Sequence, residues 1–165
     1  DSYLRGTDGF RYQKRNSVEN FQEIWMKTRL FLDTNVIIDL LGERDPYYLE
    51  IAKITTLADL NEIELVVSAL SYSTVYYILS KYDSNENVKN KLRKFKILAN
   101  ISDLNTEVIE KNLSSNFKDF EDGLQYHCAI QSACNILITR NHKDFKNSQI
   151  PVMNANEYLR SIGRH

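Results

Sequence analysis

Short continuous apolar runs alternate along this chain with longer segments whose apolar positions recur every three or four residues. The first period belongs to buried strands and the second to amphipathic helices. Residues 29–33 predict a strand that ends in an Asp-Thr-Asn turn, followed by a helix over 36–41. Asp45-Pro46 reads as a helix start, an acidic N-cap before a first-turn proline, for a helix reaching residue 61. The β-branched run 63–69 predicts a second strand, with helices over 70–82 and 84–99 after it. A third strand lies within "ILANISDL", and Thr106 is expected to cap the helix "TEVIEKNLSS". Asp119 is expected to open the helix "DFEDGLQYHCAIQSACN". Strands over 136–140 and in "IPVMN" follow, and Asn154 with Glu157 three residues later forms a capping-box start for the last helix. Strands alternating with helices imply an α/β fold, a parallel sheet with helices on both faces. Ligands then bind beyond the carboxyl ends of the strands.

Composition narrows the class. The chain has 165 residues, 42% hydrophobic and 26% charged, as in an ordinary globular domain. Net charge is −1, so any nucleic-acid partner must be met by a local patch. Cys128 and Cys134 match no zinc spacing and are expected in one helix as reduced core residues, which suits a cytoplasmic setting. No apolar stretch has the length of a membrane span. Residues 1–25 mix charges and scattered aromatics, and "MKTRLFLDTNV" from Met26 has the form of a translation start. The chain therefore divides into an arm, tag or read-through segment over 1–25 and a domain over 26–165. Phe21 and Trp25 are expected to hold the arm against a neighbouring protomer.

Three acids fall on one predicted edge of the sheet: Asp33 after the first strand, Asp122 in a helix start, and Asp144 after the fourth strand. Clustered carboxylates repel one another unless a divalent cation neutralises them. Magnesium and manganese take oxygen ligands and keep several waters, so a few carboxylates suffice. Each acid also has a structural explanation. Asp33 can cap the helix after it, Asp119 and Asp122 stand in N-cap and N3 relation, and Asp144 can be a loop acid. A haloacid-type phosphatase needs a second acid two residues after the first, where this chain has Asn35. A response-regulator receiver needs an early acidic pair that "LFLDTN" lacks.

"LFLDTNVIIDLL", "LVVSALSYSTVYYIL", "DFEDGLQYHCA" and "ILITRNHKDF", in that order, resemble a PIN domain. The resemblance runs from about residue 29 to 159. It implies a three-layer α/β/α sandwich around a mainly parallel sheet. It also implies a magnesium- or manganese-dependent endoribonuclease, often the toxin of a toxin–antitoxin pair. By position, Asp33, Asp122 and Asp144 resemble the family's metal-binding acids, with Asn35, Ser73, Thr74, Thr139 and Asn141 shaping the pocket. Many members carry a glutamate where this chain has Thr74. Glu121 and Asp119 are the second-tier acids that compensate for it. A second reading stays open on that departure: a PIN module that binds RNA or a protein partner without cutting. The resemblance implies an RNA substrate, an antitoxin partner and a homodimer.

Arg140, Lys143 and Lys146 flank the expected site and are the candidate phosphate contacts. The basic run Lys89, Lys91, Arg93, Lys94 and Lys96 reads as a solvated helix face. His142 reads as a surface histidine and His127 as a core one. Tyr72 and Tyr76 share a helix face, and these tyrosines, with Tyr47 and Tyr48, are expected in core or interface contacts before base stacking.

Overall fold

A computed structural model of the chain describes residues 27–165. The expected arm over 1–25, with its Phe21 and Trp25 contact, lies outside the described residues. Five strands form one sheet: β1 Arg29–Leu32, β2 Glu64–Ser68, β3 Ala99–Ser102, β4 Ile136–Ile138 and β5 Val152–Met153. Their order is β3-β2-β1-β4-β5, and every neighbouring pair is parallel. The helices are α1 Thr34–Leu41, α2 Tyr48–Asp59, α3 Ala69–Leu79, α4 Asn85–Leu98, α5 Thr106–Leu113, α6 Phe120–Gln131 and α7 Ala155–Ser161. A 3-10 turn, His142–Phe145, follows β4.

The layers follow from two-sided burial of the central strands. In β1, Leu30 and Leu32 pack on one face and Phe31 on the other, and all three are fully buried. In β2, Leu65 and Val67 share the first face while Val66 joins the second. The first face is covered by Val36, Ile37 and Ile38 of α1, Ile51, Ile54 and Leu57 of α2, and residues of α3, α4 and α7. The second is covered by Val108 of α5, Leu124, Cys128 and Ala129 of α6, and Phe145. Strands apolar on both faces require helices on both faces, and each large side chain so buried contributes about 1.5–3 kcal/mol.

Several expected starts move. Asp45 does not cap α2: the helix begins at Tyr48 behind Tyr47, and residues 45–47 form a turn. Asn105, not Thr106, caps α5, its side chain accepting from the Val108 amide at 3.1 Å. The capping box at Asn154 and Glu157 is present. Cys134 lies beyond the end of α6, so the two cysteines do not share a helix, but both are reduced and buried. α6 can approach α5 closely because Gly123 has no side chain. A Cβ there would stand 1.8 Å from Asn112 Oδ1, and the Asn112 amide already donates to the Phe120 carbonyl at 2.9 Å. Gly123→Ala is expected to destabilise the fold by about 2 kcal/mol through overpacking, read as a lower denaturation midpoint in urea with an unchanged slope.

Candidate metal centre

The chain runs outward from β1 through β2 to β3, then returns to place β4 on the other side of β1. The carboxyl ends of β1 and β4 therefore flank the point where the winding reverses, the place where such sheets bind ligands. Asp33 follows β1 directly, and its amide donates to the Ile138 carbonyl at the end of β4, at 2.9 Å. It is the N-cap of α1 and only 6% exposed. One carboxylate oxygen accepts from the Thr34 amide and the other from the Thr139 hydroxyl, each at 2.8 Å. Thr139 is itself fully buried and accepts from the Asn141 amide at 3.1 Å. Capping and site membership are thus not alternatives for Asp33, because the cap aims the carboxylate.

Asp119 caps α6 by accepting from the Asp122 amide at 3.0 Å, which starts the helix and brings Glu121 and Asp122 into its first turn. Asp144 sits in the 3-10 turn after β4, and the buried Phe145 beside it anchors that turn in the core. The acids sense one another. Burial pushes the Asp33 carboxyl up, opposed by its two hydrogen bonds and reinforced by Glu121 and Asp144. Burial, then Asp119, Asp33, Asp144 and Glu121, push Asp122 up to about 7. Burial and Asp119 raise Glu121. None of these five acids is ion-paired to a lysine, arginine or histidine among the described residues. Such a group of oxygen donors fits a hard divalent cation. Among the described residues no three acidic, histidine or cysteine side chains form a closed metal cage.

The remaining expected residues divide. Asn35 is half-buried with its side-chain oxygen unpartnered, and Asn141 is exposed beside the turn. Thr74 is half-buried and Ser73 exposed on α3. Lys143 and Lys146 are exposed and make no ion pair among the described residues. Arg140, expected on phosphate, is instead taken up within the protein. Its Nε lies 2.6 Å from the buried Asp39 carboxylate, and its guanidinium sits 4.3 Å from the Tyr47 ring centre. His142 pairs with Glu157 at 3.0 Å. His127 is half-buried against Phe117 and Tyr126, and burial lowers its basicity. The basic run on α4 is largely solvated, with Arg93 tied to Glu86 and Lys91 to Asp83.

One group escaped the sequence. Gln125 is 1% exposed and donates to Thr34 Oγ1 at 2.9 Å and Ser71 Oγ at 3.0 Å, while those two hydroxyls lie 2.8 Å apart. The triangle joins α1, α3 and α6 directly behind Asp33. The available signal was a polar residue one helical turn after Asp122, on the same face.

The perturbed Asp122 sets a pH dependence. Its carboxyl titrates near 7 when folded and near its ordinary 3.8 when unfolded. Folding therefore takes up a proton between those values, and this group's contribution makes the metal-free protein lose stability as pH rises through that window. Asp122→Asn is expected to raise the metal-free melting temperature by about 3 °C at pH 8 and to leave it unchanged at pH 4, measured by thermal denaturation in chelator.

Comparison with known proteins identifies the family and the fold. Residues 29–143 match the PIN domain family (PIN_3), a match that stops one residue short of Asp144. Ribonuclease VapC1 of Aquifex aeolicus (strain VF5) is 31% identical over 138 residues, covering 79% of this chain and 92% of that protein. Among solved structures, DNA-bound VapBC from Salmonella typhimurium superposes with a TM-score of 0.60 at 15% identity, covering 78% of this chain and 98% of the other. A toxin–antitoxin complex from Klebsiella pneumoniae gives 0.56 at 23%, covering 76% and 97%. At those identities the structures speak to the fold alone. The match in sequence spans four of the five strands and reaches from Asp33 through Asp122, and on it the chain belongs to the PIN domain family.

Proposed function

We propose that this chain is a divalent-metal-dependent endoribonuclease and the toxin of a toxin–antitoxin pair. The observation that carries the reading is the group of carboxylates beyond β1 and β4, in which burial and acidic neighbours raise Asp33, Glu121 and Asp122 and no lysine, arginine or histidine pairs with them among the described residues. The ribonuclease name of the 31% identical relative and the toxin–antitoxin assemblies among the structural neighbours support it. Asp33, Asp122 and Asp144 would hold magnesium or manganese, some of them through retained waters rather than directly, with Glu121 and Asp119 beside them. A bound divalent cation lowers the pKa of a water and offsets phosphate charge.

The protein's own part is orientation. Thr139 and the Thr34 amide hold both oxygens of Asp33, so the carboxylate does not swing away when it ionises. Gln125, Ser71 and Thr34 keep three helices at fixed spacing behind it. Lys143 and Lys146 are free to contact backbone phosphates. In the reaction, a water oxygen bonds to phosphorus, the bond from phosphorus to the 3′ oxygen breaks, and that oxygen takes up a proton. The products are a 5′-phosphate and a 3′-hydroxyl. The protein partner is an antitoxin chain, and the active form is a homodimer.

With single-stranded RNA and manganese, the chain is expected to cut and leave 5′-phosphate ends, and Asp33→Asn is expected to slow cutting at least about 100-fold. Equal cutting by both proteins would remove the reading. Thr74→Glu adds the carboxylate usual in the family, and should tighten manganese binding about tenfold, measured by calorimetry. If the unaltered chain takes up no manganese at all, the alternative of a non-cleaving PIN module is the correct one.

A further inference from the structure

A cleft of about 500 Å3 is lined by Tyr47, Glu50, Arg140, Asn141, Asn154 and Asn156 among others, with none of the five clustered acids in its wall. Its volume is that of a small-molecule site. Two of its lining residues connect it to Asp33. The Asn141 amide bonds to the Thr139 hydroxyl that holds Asp33, and Val36, also in the wall, donates its amide to the Asp33 carbonyl at 3.0 Å.

The cleft explains a buried charge that the proposed chemistry does not use. Asp39 is 1% exposed, and burial pushes its carboxyl up despite the opposing effect of Arg140. A buried carboxylate is costly. What Asp39 accomplishes is to grip Arg140 through Nε and Nη2, at 2.6 and 3.4 Å, and set the guanidinium plane over the Tyr47 ring. With its charge offset by Asp39, this arginine is poorly suited to phosphate. A pre-ordered stack of guanidinium and phenol is instead the kind of surface on which single-stranded bases stack. Tyr47 remains 45% exposed.

The polar groups of the wall define the base. Glu50 is half-buried and makes no ion pair or side-chain hydrogen bond among the described residues. A carboxylate only accepts hydrogen bonds. Two adjacent N–H donors, as on the Watson–Crick edge of guanine, satisfy both of its oxygens, whereas the same edge of adenine presents a single donor group beside an acceptor. Asn154 accepts from the Glu157 amide and keeps its NH2 for donation, and the exposed side-chain amides of Asn141 and Asn156 add further donors for ring nitrogen and carbonyl acceptors.

We infer that this cleft is a guanine-binding subsite for single-stranded RNA, in which the Arg140–Tyr47 stack carries the base and Glu50 reads its edge. The inference rests on the ribonuclease reading and names a base of the RNA substrate that the protein would recognise. It is tested with the full chain in chelator, where no hydrolysis occurs, by fluorescence anisotropy with labelled pentanucleotides UUGUU, UUAUU and UUUUU. UUGUU is expected to bind about tenfold tighter than UUAUU, the discrimination of one bidentate contact. Tyr47→Ala should weaken UUGUU about tenfold. Glu50→Gln keeps the size of the side chain and should bring UUGUU down to the affinity of UUAUU. Equal affinities for UUGUU and UUAUU in the unaltered chain, or a guanine preference that survives Glu50→Gln, overturn the inference. Cleavage of RNA without guanine preference defeats this inference alone, and guanine preference without cleavage defeats the ribonuclease reading alone.

Discussion

Like charges gathered around one buried carboxylate, Asp33, are the constraint on which this structure depends. Asp33, Asp119, Glu121, Asp122 and Asp144 come from a strand end, a helix start and a turn, and the described residues supply no cation among them. A protein selected for stability alone would separate them. Here the fold holds them in place with neutral donors: the Thr34 amide and Thr139 hydroxyl for Asp33, and the Asp122 amide for Asp119. Neutral donors orient a carboxylate without cancelling its charge. Asp33 and Asp119 are thus oriented while their charge is left uncancelled.

That orientation is made affordable by the apolar sandwich behind it. β1 is buried on both faces and hydrogen-bonded on both sides, to β2 and to β4, so its end cannot drift. Phe145 does the same for the turn that carries Asp144. The Gln125 triangle with Thr34 and Ser71 is a neutral network at the junction of three helices. An ionic bridge there would have altered the field at Asp33, whereas an uncharged one leaves it to the acids. Gly123 completes the arrangement by letting α6 lie close against α5, one residue from Asp122.

In the helix that Asp33 caps, the opposite solution is used. Asp39 is buried deeper than any acid of the cluster and is matched at once by Arg140. Removing one member of such a pair strands the other. One side of the fold thus carries a group of acids without a protein cation among the described residues, and near it a compensated pair. The second spends its charge internally and presents a flat, ordered surface.

The chain's linear pattern determined the α/β alternation, the parallel sheet and the acids at strand ends. Period-2 and period-3.6 burial are local properties, and a residue such as Asp33 after a two-sided strand stands out against them. Local rules were weaker at boundaries. Asp45 and Thr106 satisfy N-cap preferences, yet the packing of α2 and α5 sets the starts at Tyr48 and Thr106, with Asn105 as the cap in the second case. Tertiary structure alone decided the partners. Arg140 faces Asp39 across a sequence separation of 101 residues, and Gln125 meets Thr34 across 91. Residue type gives the charge and hydrogen-bonding capacity of a side chain. Which capacities are used inside the protein and which remain for a ligand depends on distances that exist only once β4 has paired with β1.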